Sequence, residues 1–180
     1  RRAGVARRQA SALATDMLTG CSNPDALDRR IQEEFERARR YALSFSLVLL
    51  DVDHLRGYNE RFGTVVGDRV LAELGGLLLQ EVRAPDFVSR YGGDEFALLL
   101  PETDLVGARA SLGRVRARID AHNFPDLSLD DRPTFSAGIV TFPHPAANDT
   151  QDMFALVEAA LLRGKSQTDG RIGTADTVAA

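Results

Sequence analysis

At 180 residues, 44% of them hydrophobic and 27% charged, the chain is long enough for one well-buried core and short for two domains. A net charge of −4, with basic residues that form no continuous block, argues against a nucleic-acid binder held by phosphate electrostatics. The lone Cys21 excludes an intrachain disulfide and a cysteine-based zinc site and fits a reducing cytoplasm; no run approaches the roughly 20 apolar residues of a membrane span, and no signal peptide is visible.

In chain order, "RRAGVARRQASALATDM" is rich in Ala and Arg and predicts a helical tail, either the end of a signalling coiled coil or a frayed terminus. After the loop "LTGCSNPD", Leu27, Ile31, Phe35 and Ala38 recur at helical spacing, predicting an amphipathic helix over 26–41. The period then changes. "SFSLVLLDVD" is a continuous apolar run ending in acids, the pattern of a buried central strand whose C-terminal end reaches the surface. A polar helix-length segment follows over 54–62, then a long helix over 68–82 containing Gly75 and Gly76. Each glycine weakens that helix by roughly 1 kcal/mol relative to Ala, which points to close packing. "FVSRY" and "EFALLL" form two short strands hinged on Gly92 and Gly93, and "DLVGARASLGRVRARIDAH" is another helix. "RPTFSAGIVTF" is a further strand and "TQDMFALVEAALLRGK" a final helix. The expected fold is α/β, a mostly antiparallel sheet with helices packed on it.

Asp51 and Asp53 end the central strand, and Asp94 and Glu95 follow the glycines of the hairpin. If the hairpin pairs beside that strand, the acids converge. Two readings stand at this point. An exposed acidic turn with a helix cap is one; the other is a divalent cation such as Mg²⁺, which binds through one or two carboxylates together with substrate phosphates. In the second reading the glycines let the backbone turn sharply and leave room for a ligand. Asp68 after Gly67 is in isolation a helix-cap candidate, and Asn59 an ordinary surface residue. His54, His122 and His144 are scattered and suggest neither a triad nor a zinc site.

"RYGGDEFALLLPETDL" contains the full signature of the GGDEF domains, the diguanylate cyclases, and the resemblance extends beyond it. "DMLTGCSN" resembles the family's "D-x-L-T-G-L-x-N", "LLDVDHLRGYNERFGTVVGDRVL" its "D-I-D-x-F-K-x-I-N-D-x-x-G-H-x-x-G-D-x-x-L", and "FSAGIV" its "S-x-G-V" strand. The match runs from about Asp16 to Lys165. It implies a fold like the palm of nucleotide cyclases and polymerases, and the joining of two GTP into cyclic di-GMP with release of two pyrophosphates. It implies Mg²⁺ (or Mn²⁺) held by Asp51, the carbonyl of Val52, and Asp94, with Asp94 and Glu95 as the catalytic acids. The backbone N–H groups from Asp53 through His54 and Leu55 to Arg56, at a helix start, match the triphosphate cradle, with Arg56 in place of the family's Lys. Asn59 and Asp68 match the guanine-reading positions, and relatives that make mixed cyclic GMP-AMP carry Ser at the latter. Lys165 matches a phosphate contact. "RAPD" sits where many members carry an R-x-x-D inhibitory site for product, which assigns Arg83 and Asp86, with Arg114 as a secondary arginine; an Arg and an Asp in one turn are also common without function, and Pro85 marks a helix stop.

The resemblance further implies a homodimer for catalysis, a helical linker or stalk over 1–20, the catalytic domain over 21–174 and a tail over 175–180. Arg-Arg stands first with no initiator Met, so an upstream sensor domain is expected, attached to a cytoplasmic enzyme. Several positions depart from the pattern: Thr64 for His, Leu55 for Phe, Cys21 for Leu, and a C-terminal "GKSQTDGRIG" in which Arg171 is displaced and the family's Asn is absent. These changes spare the metal and guanine positions. They also leave open a weak or inactive module that binds GTP or cyclic di-GMP as a receptor.

Overall fold

The computed structural model describes residues 14–167 and 171–175. Its elements are α1 (Pro24–Tyr41), β1 (Phe45–Val52), α2 (Leu55–Phe62), α3 (Thr64–Glu81), β2 (Phe87–Arg90), β3 (Glu95–Pro101), α4 (Leu105–Ala121), a 3₁₀ turn (Leu129–Asp131), β4 (Phe135–Phe142), α5 (Thr150–Ser166) and β5 (Ile172–Thr174). The strands form one sheet in the order β2-β3-β1-β4-β5. All pairs are antiparallel except β4 with β5. The expected palm-like sheet with flanking helices is what the chain forms.

The apolar run of β1 is buried at all eight positions because it lies in the middle of the sheet with helices on both faces. Alternation along the strand divides its side chains. Val48, Leu50 and Val52 pack with α3 and α4, through residues such as Leu71, Leu78, Leu112 and Val115. Phe45, Leu47 and Leu49 pack with α1 and α5, through Ile31, Phe35, Met153 and Val157. Asp51 continues the second set and Glu95 continues Ala97 and Leu99 of β3, so both acids lie at one end of the α1/α5 face.

Several boundaries differ from the sequence reading. The helix expected through residue 17 falls mostly outside the described residues, and residues 14–17 form a turn and an isolated bridge, Thr15 with Ser22. Helix α1 begins at Pro24, not Ala26, because the Asn23 side chain accepts from the Ala26 N–H (2.9 Å) and Pro24 occupies the first turn, where its missing donor costs nothing. Helix α3 begins four residues early, at Thr64, with Gly63 (φ 87°) both ending α2 and starting α3. Asp68 is therefore inside a helix and not its cap. Strand β5 went unseen since three residues carry no periodicity.

Gly75 and Gly76 serve different purposes. A Cβ on Gly75 would stand 2.7 Å from the Thr19 Cβ and 3.2 Å from the Cys21 sulfur, while one on Gly76 would meet nothing within 4 Å. Only Gly75 permits close packing. We expect Gly75→Ala to destabilise the domain by about 1–3 kcal/mol and Gly76→Ala to stabilise it by up to about 1 kcal/mol; paired urea melts of the two variants check both signs.

Candidate active site

The hairpin pairs beside the central strand as expected. Asp51 lies directly opposite Glu95 in the β1–β3 register, and the Val52 N–H donates to the Asp94 carbonyl at 3.0 Å. The turn between β2 and β3 is closed by Tyr91 and Gly92 N–H groups donating to the Glu95 carbonyl (2.8 and 3.1 Å). Neither Gly92 nor Gly93 has a left-handed φ; a Cβ at 92 would press on the Glu95 carboxylate (2.9 Å), whereas Gly93 is open. The glycines supply room and not an unusual backbone.

Arg90 secures this turn, a role that no spacing argument revealed. Its guanidinium donates to the Gly93 carbonyl (2.7 Å) and reaches Asp16 (3.4 Å) in the opening motif. Burial alone would raise the Asp16 carboxyl, but bonds from Thr19 and the Arg90 charge hold it below its usual value. "DMLTGCSN" is thereby a brace for the hairpin.

Asp51 and Glu95 are both pushed above the ordinary carboxylate range, chiefly by burial. Glu95 is raised further by Asp51 and Asp94; Asp51 is raised by Asp94 and Asp53 against the lowering effect of Lys165. Like charges facing across a ladder repel. Among the described residues the cation in contact is Lys165, from the end of α5, with its Nζ 2.8 Å from an Asp51 oxygen. Among the described residues no three acidic, imidazole or thiol side chains surround a common point. The expected ligands, the Asp51 and Asp94 carboxylates and the Val52 carbonyl, would offer only a partial oxygen donor set, the kind a hard divalent cation completes with phosphate oxygens and water. The crowding of acids fits such an ion.

Asp53 faces elsewhere. Its buried carboxylate takes hydrogen bonds from Thr134 and Ser136 and pairs with Arg171, and its N–H donates to the Thr134 carbonyl (2.9 Å). The Asp53 N–H is thus spent inside the sheet, which corrects its place in the expected cradle; the next residue, His54, is exposed with φ 58° ahead of α2. No side chain caps α2, so its first N–H groups remain directed at whatever approaches the helix. Arg56 is exposed and pairs with Glu60 at 2.9 Å.

Asn59 projects from α2 toward α3. Its Oδ1 is buried and accepts from no described residue, and it lies where a Cβ of Gly67 would stand, 1.8 Å away. Asp68 follows that glycine and is exposed. The sequence candidates Asn59 and Asp68 are thus brought to the junction of two helices.

The "RAPD" turn closes on itself. Asp86 accepts from the Arg83 N–H (2.8 Å) and guanidinium (3.0 Å), and Arg83 also donates to Thr103 (2.7 Å). Arg83 remains 55% exposed while Asp86 is 1% exposed, so the turn presents the arginine. Arg83 lines a cavity with Arg30, Glu34, Arg37 and Glu102. Arg114 bonds Ser111 and lines a separate groove between α3 and α4, with Leu77 and Arg118.

The family model for the diguanylate cyclase GGDEF domain matches residues 13–171. Diguanylate cyclase DgcP of Pseudomonas aeruginosa is 38% identical over 161 residues, covering 89% of this chain and 24% of that protein. The chain thus spans about a quarter of that relative's length. Diguanylate cyclase SiaD of P. aeruginosa, solved with its activator SiaC, superposes with a TM-score of 0.80 at 34% identity, over 91% of this chain and 62% of that one. The GGDEF domain of DgcB from Caulobacter crescentus, solved with c-di-GMP, superposes with a TM-score of 0.81 at 25% identity, over 90% and 95% of the two chains.

Proposed function

The chain belongs to the GGDEF family of diguanylate cyclase domains, and from that premise we propose that it condenses two GTP molecules into cyclic di-GMP, with release of two pyrophosphates. The observation that carries this reading is the register that sets Asp51 opposite Glu95, with Asp94 bonded through its backbone to Val52. Asp51, Asp94 and the Val52 carbonyl would hold Mg²⁺ or Mn²⁺, which when bound supplies charge neutralisation to the triphosphate and to the attacking oxygen. The N–H groups of His54, Leu55 and Arg56 receive the phosphates, and Lys165 exchanges its contact with Asp51 for a phosphate oxygen. A 3′-hydroxyl oxygen attacks the α-phosphorus, the bond to the bridging oxygen breaks, and pyrophosphate leaves. Glu95, directly opposite Asp51 in the ladder, is placed to accept the hydroxyl proton. Asn59 and Asp68 select guanine.

One domain holds one GTP, so the reaction needs two domains facing each other, and the working unit is a homodimer. The test is to incubate the protein with GTP and Mg²⁺ over a range of protein concentrations and measure cyclic di-GMP and pyrophosphate. The rate per protein should rise with concentration. Absence of product while GTP or cyclic di-GMP still binds would make the chain a receptor. Further domains beyond this chain, a sensor among them, would bring two copies together in the cytoplasm; no helix among the described residues is long and apolar enough to cross a membrane.

Arg83 is the residue through which product would inhibit, with Asp86 holding it in place and Arg114 approaching from its own groove. Arg83→Ala should weaken inhibition by cyclic di-GMP about tenfold or more, the worth of a bidentate guanidinium contact. Unchanged inhibition in that variant removes the site.

A further inference from the structure

Asp53 is the second acid of "LLDVD", yet its side chain is only 4% exposed. One oxygen accepts from the Ser136 hydroxyl (2.7 Å) and meets the Arg171 guanidinium (2.8 Å); the other accepts from the Thr134 hydroxyl (2.7 Å). With its N–H on the Thr134 carbonyl, this residue ties the end of β1 to the start of β4 and to the C-terminal segment. It stands between Val52, whose carbonyl is a candidate cation ligand, and His54, where the phosphate cradle begins.

Arg171 carries a second sign of constraint. Its φ is 46°, a left-handed conformation that a residue with a side chain keeps only when its surroundings fix it. Its carbonyl accepts from the Ala137 N–H at 2.8 Å, next to the parallel pairing of β5 with β4. Drawing the guanidinium away would leave a buried carboxylate on two hydroxyls alone, a costly state. Lys165 differs. It makes one contact with Asp51 and is 42% exposed, so its exchange onto another anion costs little.

We infer that Asp53 and Arg171 form a clasp that positions the turn from β1 into α2, so that Arg171 acts through Asp53 and leaves Lys165 as the C-terminal cation free to meet the triphosphate. The inference rests on the cyclase reading above. Asp53 and Arg171 are positioning residues in it: neither touches substrate, and both set the direction of the Val52 carbonyl and the His54 N–H.

The test compares the wild-type chain with Arg171→Met, Arg171→Lys, Asp53→Asn and the Asp53→Asn/Arg171→Met double variant. Steady-state kinetics with GTP and Mg²⁺ are measured together with amide hydrogen exchange at Asp53 and Ala137. Arg171→Met and Asp53→Asn should each raise KM about tenfold with kcat changed less, as loss of one charged hydrogen bond in the binding scaffold predicts. The double variant should be no worse than the weaker single one, Arg171→Lys should keep most of the affinity, and exchange at both amides should quicken in Arg171→Met. Losses that multiply in the double variant would show Arg171 acting independently of Asp53 and overturn the clasp. If the wild type makes no product, the cyclase reading fails by itself; quickened exchange in Arg171→Met then upholds the clasp, and unchanged exchange overturns it.

Discussion

Glu95→Gln will raise the melting temperature of the metal-free protein while lowering cyclic di-GMP formation by about a thousandfold, the loss expected when a group serving the metal-assisted step is removed. Glu95 is half-buried beside Asp51 and Asp94, and its folded-state pKa lies above the ordinary value. A carboxyl raised in this way binds its proton more tightly in the folded chain than in the unfolded one. Its contribution to stability is therefore best at low pH and declines as pH rises from the ordinary carboxylate value through the raised one. At neutral pH the whole of that decline is in force, and the amide abolishes it.

Asp51, also raised, behaves in the same way, although Asp51→Asn gives up the Lys165 contact as well. Melting curves taken from pH 4 to 8, an interval of about four units spanning the carboxylate range, should flatten in both variants. Added Mg²⁺ should raise the wild-type melting temperature and leave Asp51→Asn unmoved. A destabilised Glu95→Gln protein, or one whose melting remains as pH-dependent as the wild type, would refute the crowded-acid account.

What the sequence disclosed and what it hid divide along physical lines. The central strand is legible because "LVLL" is apolar at every position, and only a strand covered on both faces tolerates that. The acids were legible because they end that strand and flank two glycines, so pairing had to bring them together. The helix starts were less so. Asn23 and Pro24 carry a cap signature inside a stretch whose Gly, Ser, Asn and Pro otherwise predict a loop, and Gly63 joins two helices where the sequence predicts a gap. Asp53 was the least legible. Its neighbours are 81 residues away at Thr134 and 83 at Ser136, and nothing local distinguishes an acid turned into the sheet from Asp51 turned out of it, beyond the bend that follows Val52. Arg171 is displaced only along the chain: the following strand β5 pairs with β4, and the Arg171 guanidinium reaches Asp53.

Gly67→Ala will reduce GTP affinity by roughly tenfold to a hundredfold, the worth of one or two base-edge contacts, and will narrow the preference for GTP over ATP, although it removes no group that would touch the base. The effect is transmitted by Asn59. Its Oδ1 is buried with no donor among the described residues, an arrangement that costs about 1–3 kcal/mol unless a ligand supplies the donor. Guanine has such donors at N1 and N2, and adenine has no amino group at C2. The amide is held there by the bare Cα of Gly67, since a methyl group at 67 would fall 1.8 Å from the oxygen and 3.0 Å from its carbon. Alanine must therefore push the amide aside. The backbone itself is indifferent, for Gly67 lies inside α3 with an ordinary helical φ. Asn59→Ala should reproduce the loss of selectivity, and Asp68→Ala should deepen it because its exposed carboxylate serves the same edge. Competition binding of GTP and ATP to the three variants decides the matter: a Gly67→Ala protein that keeps both affinity and preference would mean that the base is read somewhere other than the α2–α3 junction.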